Sequence, residues 1–196
     1  VDNNIIAEFE HSEATPEGIH IVFSGGAPDG TSANFLECAD TGTTRLRIQS
    51  DGDVLNHDGA YGSLSDERIK QDIRDSNSQW EDIKAVKVRN FKKKDDVRQY
   101  GENAWEQIGV IAQELELAGM DKLVKLHNPS PSDIASNSAF GTLYTDSDEL
   151  PDGKRVGEVK EIKEQVKSVS YSVLYMKAIK ALQEAMARIE TLETKV

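Results

Sequence analysis

Cysteine is nearly absent. Cys38 stands alone among 196 residues, so one chain can form neither a disulfide framework nor a cysteine zinc cluster. Long apolar runs are missing too. None approaches the ~18 residues of a membrane span, so no membrane partner is expected. The first residues show no signal-peptide pattern. Val1 is not a natural initiator, so the chain is expected to be part of a longer protein. Apolar side chains are scarce, at 37% against 30% charged, with a mean hydropathy of −0.55. A lone globule usually carries roughly 45–50% apolar residues with glycine counted. A chain this polar can still fold by burying apolar surface against copies of itself, which predicts an oligomer.

Positive charge is also short, with a net charge of −12. Residues 1–64 hold eleven acids and two bases, a balance of −9, whereas residues 65–196 balance at −3. The change of composition near residue 64 predicts two modules. An acidic chain repels a phosphate backbone, so nucleic acid is not an expected partner. The run Lys92-Lys93-Lys94 is followed at once by Asp95-Asp96 and reads as a solvated turn. Acidic residues follow no calcium-loop spacing, and no metal or cofactor is expected.

What is present changes period along the chain. Residues 1–64 read as short strands between turns. Ile19–Phe23 is a β-rich run closed by Ser24-Gly25-Gly26, and Ala27-Pro28-Asp29-Gly30 is a turn signal. Asn34–Cys38 is a second strand, with Cys38 expected as a small core residue. Thr44–Gln49 alternates polar and apolar as a half-buried strand does, and Val54-Leu55 begins another. So few large apolar groups make a thin sheet with edges that need covering.

From Ser65 onward helix and strand mix. Ser65–Ile73 fits a short helix or turn. Ser78 followed by Glu81 is a capping-box pattern opening a helix to Val86. Val88–Phe91, Gln107–Ile111 and Leu123–Leu126 read as strands, and Ala112–Ala118 as a helix stopped by Gly119. Trp80, Tyr100 and Trp105 are candidate core residues, or anchors of an arm. Residues 127–157 are polar and rich in Ser, Asn, Asp, Gly and Pro. They read as a long loop or arm, with Val159–Val166 as its return strand. Residues 168–196 contain no Gly or Pro. Ala178, Leu182, Ala185, Ile189, Leu192 and Val196 step by 4 and 3, as do Tyr175, Ile179, Leu182, Met186 and Ile189. This predicts a helix with a broad apolar stripe, either packed on its own domain or joined with other chains in a coiled coil.

One cluster carries candidate chemistry. Ser65-Asp66-Glu67-Arg68-Ile69-Lys70 places a serine five residues before a lysine. Serine is a weak nucleophile until a base takes its proton. The histidines, His11, His20, His57 and His127, show no pattern tying one to a serine, and His57 is the nearest in sequence. Lysine serves instead when desolvation or a neighbouring cation destabilises its ammonium, and Arg68 has the right sign. On a regular helix positions five apart lie about 140° apart and do not face one another. Ser65 before the helix proper would let Lys70 reach it. The plainer alternative is that Ser65 merely caps a helix, with Asp66 and Glu67 at its positive end and Lys70 in solvent.

Three motifs bear on this choice. Tyr61-Gly62-Ser63-Leu64-Ser65-Asp66-Glu67-Arg68-Ile69-Lys70 resembles the opening of the phage intramolecular chaperone domain, the peptidase S74 family, which begins Ser-Asp-x-Arg-(Leu/Ile)-Lys after a glycine-containing fibre end. Ile108-Gly109-Val110-Ile111-Ala112-Gln113-Glu114-Leu115 resembles its internal signature. Val169–Leu174, leading into Ile179-Lys180-Ala181-Leu182-Gln183-Glu184, resembles its closing Tyr-x-x-Leu and coiled-coil tail.

The resemblance implies an α+β fold. Residues 1–64 would be the β-structured end of a fibre or spike. Residues 65–196 would be a small mixed chaperone domain with an extended arm at about 127–166 and a C-terminal helix at about 168–196 forming a trimeric coiled coil. It also implies a homotrimer whose client is the preceding β segment of its own chain. Ser65 would be the nucleophile and Lys70 the general base of a single self-cleavage between Leu64 and Ser65. The protein would then be the precursor of a virion tail fibre or spike, matured in the host cytoplasm. A trimerisation tip that never cuts, and a receptor-binding fibre end, are the competing readings.

Overall fold

The computed structural model describes residues 18–23, 25, 26 and 28–195. Ser24 and Ala27 of the two expected turns, His11, and Val196 at the end of the apolar stripe lie outside the described residues. The chain divides into two compact units, Val1–Ile73 and Arg74–Val196.

The first unit holds one antiparallel sheet of β1 (Asn34–Ala39), β2 (Thr44–Gln49) and β3 (Val54–Asn56), with β2 in the middle. Register pairs Leu36 with Ile48, Cys38 with Leu46, and Ile48 with Val54. The three strands expected from alternation therefore form. The expected strand Ile19–Phe23 does not, because no ladder reaches it. Phe23 instead stacks its ring on Phe35, with centroids 4.7 Å apart. Cys38, expected in a core, is exposed; among the described residues of this unit there is a single sheet with no second one against it. Gln49 is the buried side chain among the described residues here, and its Nε2 donates to the Thr31 carbonyl at 2.8 Å. A buried amide needs such a partner.

The second unit runs α1 (Trp80–Ala85), β4 (Arg89–Phe91), α2 (Lys94–Tyr100), β5 (Gln107–Gly109), α3 (Ala112–Leu117), β6 (Val124–His127), α4 (Pro131–Ser136), β7 (Gly141–Leu143), β8 (Val159–Ile162), β9 (Val166–Val169) and α5 (Tyr171–Glu193). Its strands pair two by two, antiparallel: β4 with β5, β6 with β9, and β7 with β8. Leu115, Met120, Leu123 and Leu174 form the core, with Ile83, Val86, Val110, Val124 and Val169 packed against it. Leu115 points inward from α3, which Gly119 ends at φ +78°. That left-handed position costs glycine nothing.

Four expectations change. The polar stretch 127–157 is not one loop. It contains α4, with Pro131 at its first turn and a complete Ser130/Asp133 capping box, and then β7. The single return strand is two, β8 and β9, and the long helix starts at Tyr171 because Ser168 and Val169 belong to β9. The basic run is exposed, as a solvated turn should be, but it is also structured. Lys94 opens α2 and Lys92 Nζ donates to the Glu102 carbonyl at 2.9 Å. Arg98 then donates to Ser136 Oγ and Ser132 Oγ, tying α2 to α4. Of the candidate core aromatics, Trp105 is 76% exposed and Tyr100 is exposed, while Trp80 is half-buried.

Ser78 and Glu81 do not build the expected box. The cap position is Gln79, which has no side-chain capping bond. The carboxylate of Glu184, on α5, does that work across the fold, accepting from Ser78 Oγ at 2.7 Å and from the Gln79 N–H at 3.0 Å. These donors hold the Glu184 carboxyl below its ordinary range, Ser78 most of all. Lys177 Nζ donates to Gln79 Oε1 and Asp82 Oδ2, and the Arg188 guanidinium lies 3.8 Å over the Trp80 ring. Leu174, Lys177, Ala181, Glu184 and Arg188 thus make one face of α5, stepping by 3 and 4, turned toward the unit's own core and α1.

Candidate active site at the serine-lysine turn

The turn is built by Asp66. A single 3₁₀ turn spans Glu67–Ile69, with Asp66 at its cap, so Ser65 is not the capping residue. Asp66 Oδ1 accepts from the Arg68 N–H at 2.9 Å, and the Lys70 N–H closes onto the Glu67 carbonyl at 3.1 Å. Ser65 and Lys70 stand on either side of this turn, where the chain is no longer helical. The helical separation that would part them therefore does not apply. Lys70 Nζ reaches back and donates to Ser65 Oγ at 2.6 Å.

The neighbouring charges sort themselves. Arg68 does not sit on Lys70. Its guanidinium grips Asp66 through Nε at 2.9 Å and Nη2 at 2.6 Å. That pair, with the Arg68 N–H, holds the Asp66 carboxyl below its usual range. His57 bonds Asp58 through Nδ1 at 2.6 Å, and no bond joins it to Ser65. Every residue from Tyr61 to Lys70 is exposed, Leu64 at 89%. Among the described residues no group of three or more His, Cys, Asp or Glu could hold a metal, and no helix is long and apolar enough to cross a membrane.

Residues 65–125 match the family model of peptidase S74, described as the chaperone of endosialidase. The match begins on the serine that Lys70 touches. Over these residues the chain is similar to the peptidase S74 chaperone family. No curated protein matches the chain. Among solved structures, one described as a novel intramolecular chaperone is similar at 24% identity, over 63% of this chain and 99% of that one, with a TM-score of 0.42. The carboxy-terminal domain of the bacteriophage T5 L-shaped tail fibre, with its intramolecular chaperone domain, is similar at 13% identity, over 81% of this chain and 44% of that one, with a TM-score of 0.38.

Beyond the S74 match, α5 presents a second face. Tyr175, Ile179, Leu182, Met186, Ile189 and Leu192 are exposed, Leu182 at 61% and Leu192 at 63%. One face of this helix is packed within the unit; the other is apolar and exposed. Near its start the bare stripe runs into an apolar groove bordered by Ile83, Val88, Ile108 and Tyr171.

Sequence reasoning paired Ser65 with Lys70 but gave Asp66 and Arg68 no joint role. An Asp followed two residues later by Arg carries a signal that was available, since Asp side chains bond the backbone two residues on. Glu184 left no such signal, because its partners are 105 and 106 residues away.

Proposed function

We propose that the chain is an intramolecular chaperone that assembles three copies of a phage fibre or spike end and then releases itself by cutting between Leu64 and Ser65. The observation that carries the reading is the 2.6 Å contact of Lys70 Nζ with Ser65 Oγ at the first residue of the S74 segment. With Lys70 neutral, its nitrogen takes the Ser65 hydroxyl proton. Ser65 Oγ then attacks the Leu64 carbonyl carbon. The C–N bond breaks, Lys70 returns the proton to the departing Ser65 nitrogen, and an ester joins Leu64 to Ser65 Oγ. Water hydrolyses the ester, leaving a Leu64 carboxylate and a Ser65 with free amine and hydroxyl. A serine beside its own scissile bond has a very high effective concentration, which supplies much of the rate.

The bare apolar stripe of α5 supports the trimeric coiled coil. Its apolar residues recur at the 3.5-residue spacing that such assemblies bury. The exposed edges of the three-stranded sheet support the client role, since interleaved copies would cover them. The arm is the hairpin of β7 and β8 with its flanking segments, and the fibre precursor is matured in the host cytoplasm.

The test compares the parent with Ser65→Ala, boiled on a denaturing gel with intact-mass determination. The parent is expected to yield a fragment beginning at Ser65, and the variant to stay whole. If both stay whole and trimeric, the domain is a trimerisation tip without protease activity.

A further inference from the structure

The dyad is exposed and spans five residues of sequence, so something must hold the flexible Lys70 stem on Ser65. Neither burial nor a neighbouring helix does so, since every residue from Tyr61 to Lys70 is exposed. Two backbone bonds close the turn between them, from the Ile69 N–H to the Asp66 carbonyl at 3.2 Å and from the Lys70 N–H to the Glu67 carbonyl at 3.1 Å, and one side chain anchors its start. Asp66 Oδ1 accepts from the Arg68 N–H and from Arg68 Nε, both at 2.9 Å, and Oδ2 accepts from Arg68 Nη2 at 2.6 Å.

We infer that Asp66 is a positioning residue for self-cleavage: its carboxylate oxygen, by capping the Arg68 N–H, closes the 3₁₀ turn that brings Lys70 Nζ onto Ser65 Oγ. It transfers no proton itself. The backbone bond is the device and the guanidinium secures it. Removing the cap frees the residues between Ser65 and Lys70 to sample extended conformations, in which the lysine no longer meets the hydroxyl. Asn can provide the same cap oxygen, because Asn and Asp are near-equal caps. Glu, one methylene longer, carries the charge without the geometry. This inference rests on the serine-lysine reading above.

Two measurements on the full chain test it. The first is the cleavage rate of the trimeric fraction. Asp66→Ala is expected to slow cutting between about tenfold and a hundredfold, the cost of misplacing a catalytic group by an ångström or so. Asp66→Asn is expected to restore the rate to within a few-fold of the parent, and Asp66→Glu to remain slow. Asp66→Ala cutting at the parental rate overturns the inference. So does Asp66→Asn as slow as Asp66→Ala.

The second measurement needs no cleavage. In a Cys38→Ser background, Ser65→Cys places a thiol against Lys70, and its ionisation is followed by ultraviolet absorbance. The thiol is expected to titrate below the ordinary ~8.5 of cysteine, to return toward it when Asp66→Ala is added, and to stay low with Asp66→Asn. A titration that ignores Asp66 overturns the positioning role. If the parent never cuts but the thiol follows Asp66 in this way, the protease reading fails while the positioning role stands. If Ser65 cuts and Asp66→Ala changes neither readout, only the positioning role fails.

Discussion

The two units differ in what they can hold together by themselves. In residues 1–73 no described apolar side chain is buried, and the buried residue is a glutamine bonded to a carbonyl. In residues 74–196 a core gathers around Leu115, with Leu123 and Leu174 from neighbouring elements. Among the described residues the first unit's sheet therefore has little of the burial that offsets chain entropy. The second has a core of its own and a spare apolar face on α5.

The most drastic way to break that comparison is to attack the bare face. Leu182→Asp with Ile189→Asp is expected to convert a trimer wholly to monomer, read by size exclusion with light scattering. Cutting is expected to fall with it, and a cleaved monomer would show that the turn works without assembly.

Next, Leu115→Ala removes the most buried core side chain, at 1% exposure. Such a truncation costs about 3 kcal/mol. Hydrogen exchange should report the loss throughout 74–196 and leave the sheet of 1–73 unchanged. Loss in both would mean that the units share their stability.

Gly141→Ala comes third. Its φ is +155°, and an added Cβ would lie 2.1 Å from the Glu161 carbonyl oxygen. The cost is expected at roughly 2–3 kcal/mol, confined to the β7–β8 pairing and read by loss of those amide protections.

The smallest effect is electrostatic. Asp148 is pushed down to about 2, first by the Lys160 ammonium and then by the Thr145 N–H and hydroxyl. A depressed carboxyl stabilises the fold above its unfolded value of about 4. That contribution is lost as pH falls toward 2. A carboxyl titration by NMR should show Asp148 ionised at pH 3, and Lys160→Ala should return its midpoint toward 4.

Periodicity located most of the elements because period is a local property. Thr44–Gln49 alternates and is β2, and the uninterrupted tail is α5. It failed where a local pattern had to be completed by a remote partner. Ile19–Phe23 has strand composition, but among the described residues no neighbouring strand pairs with it. Residues 127–157 look like a loop by composition, yet Gly141–Leu143 becomes a strand because Val159–Ile162 returns beside it. The serine and lysine were legible as a pair by their motif. The manner of their meeting was not, since a helix would have parted them and only the observed turn joins them.

By itself the sequence determined the Ser-Asp-Glu-Arg-Ile-Lys run at which the S74 match begins, the long terminal helix with its two heptad-spaced rows, and the polarity that leaves the first sheet thin. These rest on spacing and composition, which no fold can alter. Only the tertiary structure decided that Glu184 caps α1 from α5 and that one α5 face is packed while the other is bare. Each depends on which distant groups the packed chain brings within hydrogen-bonding or van der Waals reach, and no local pattern encodes that distance.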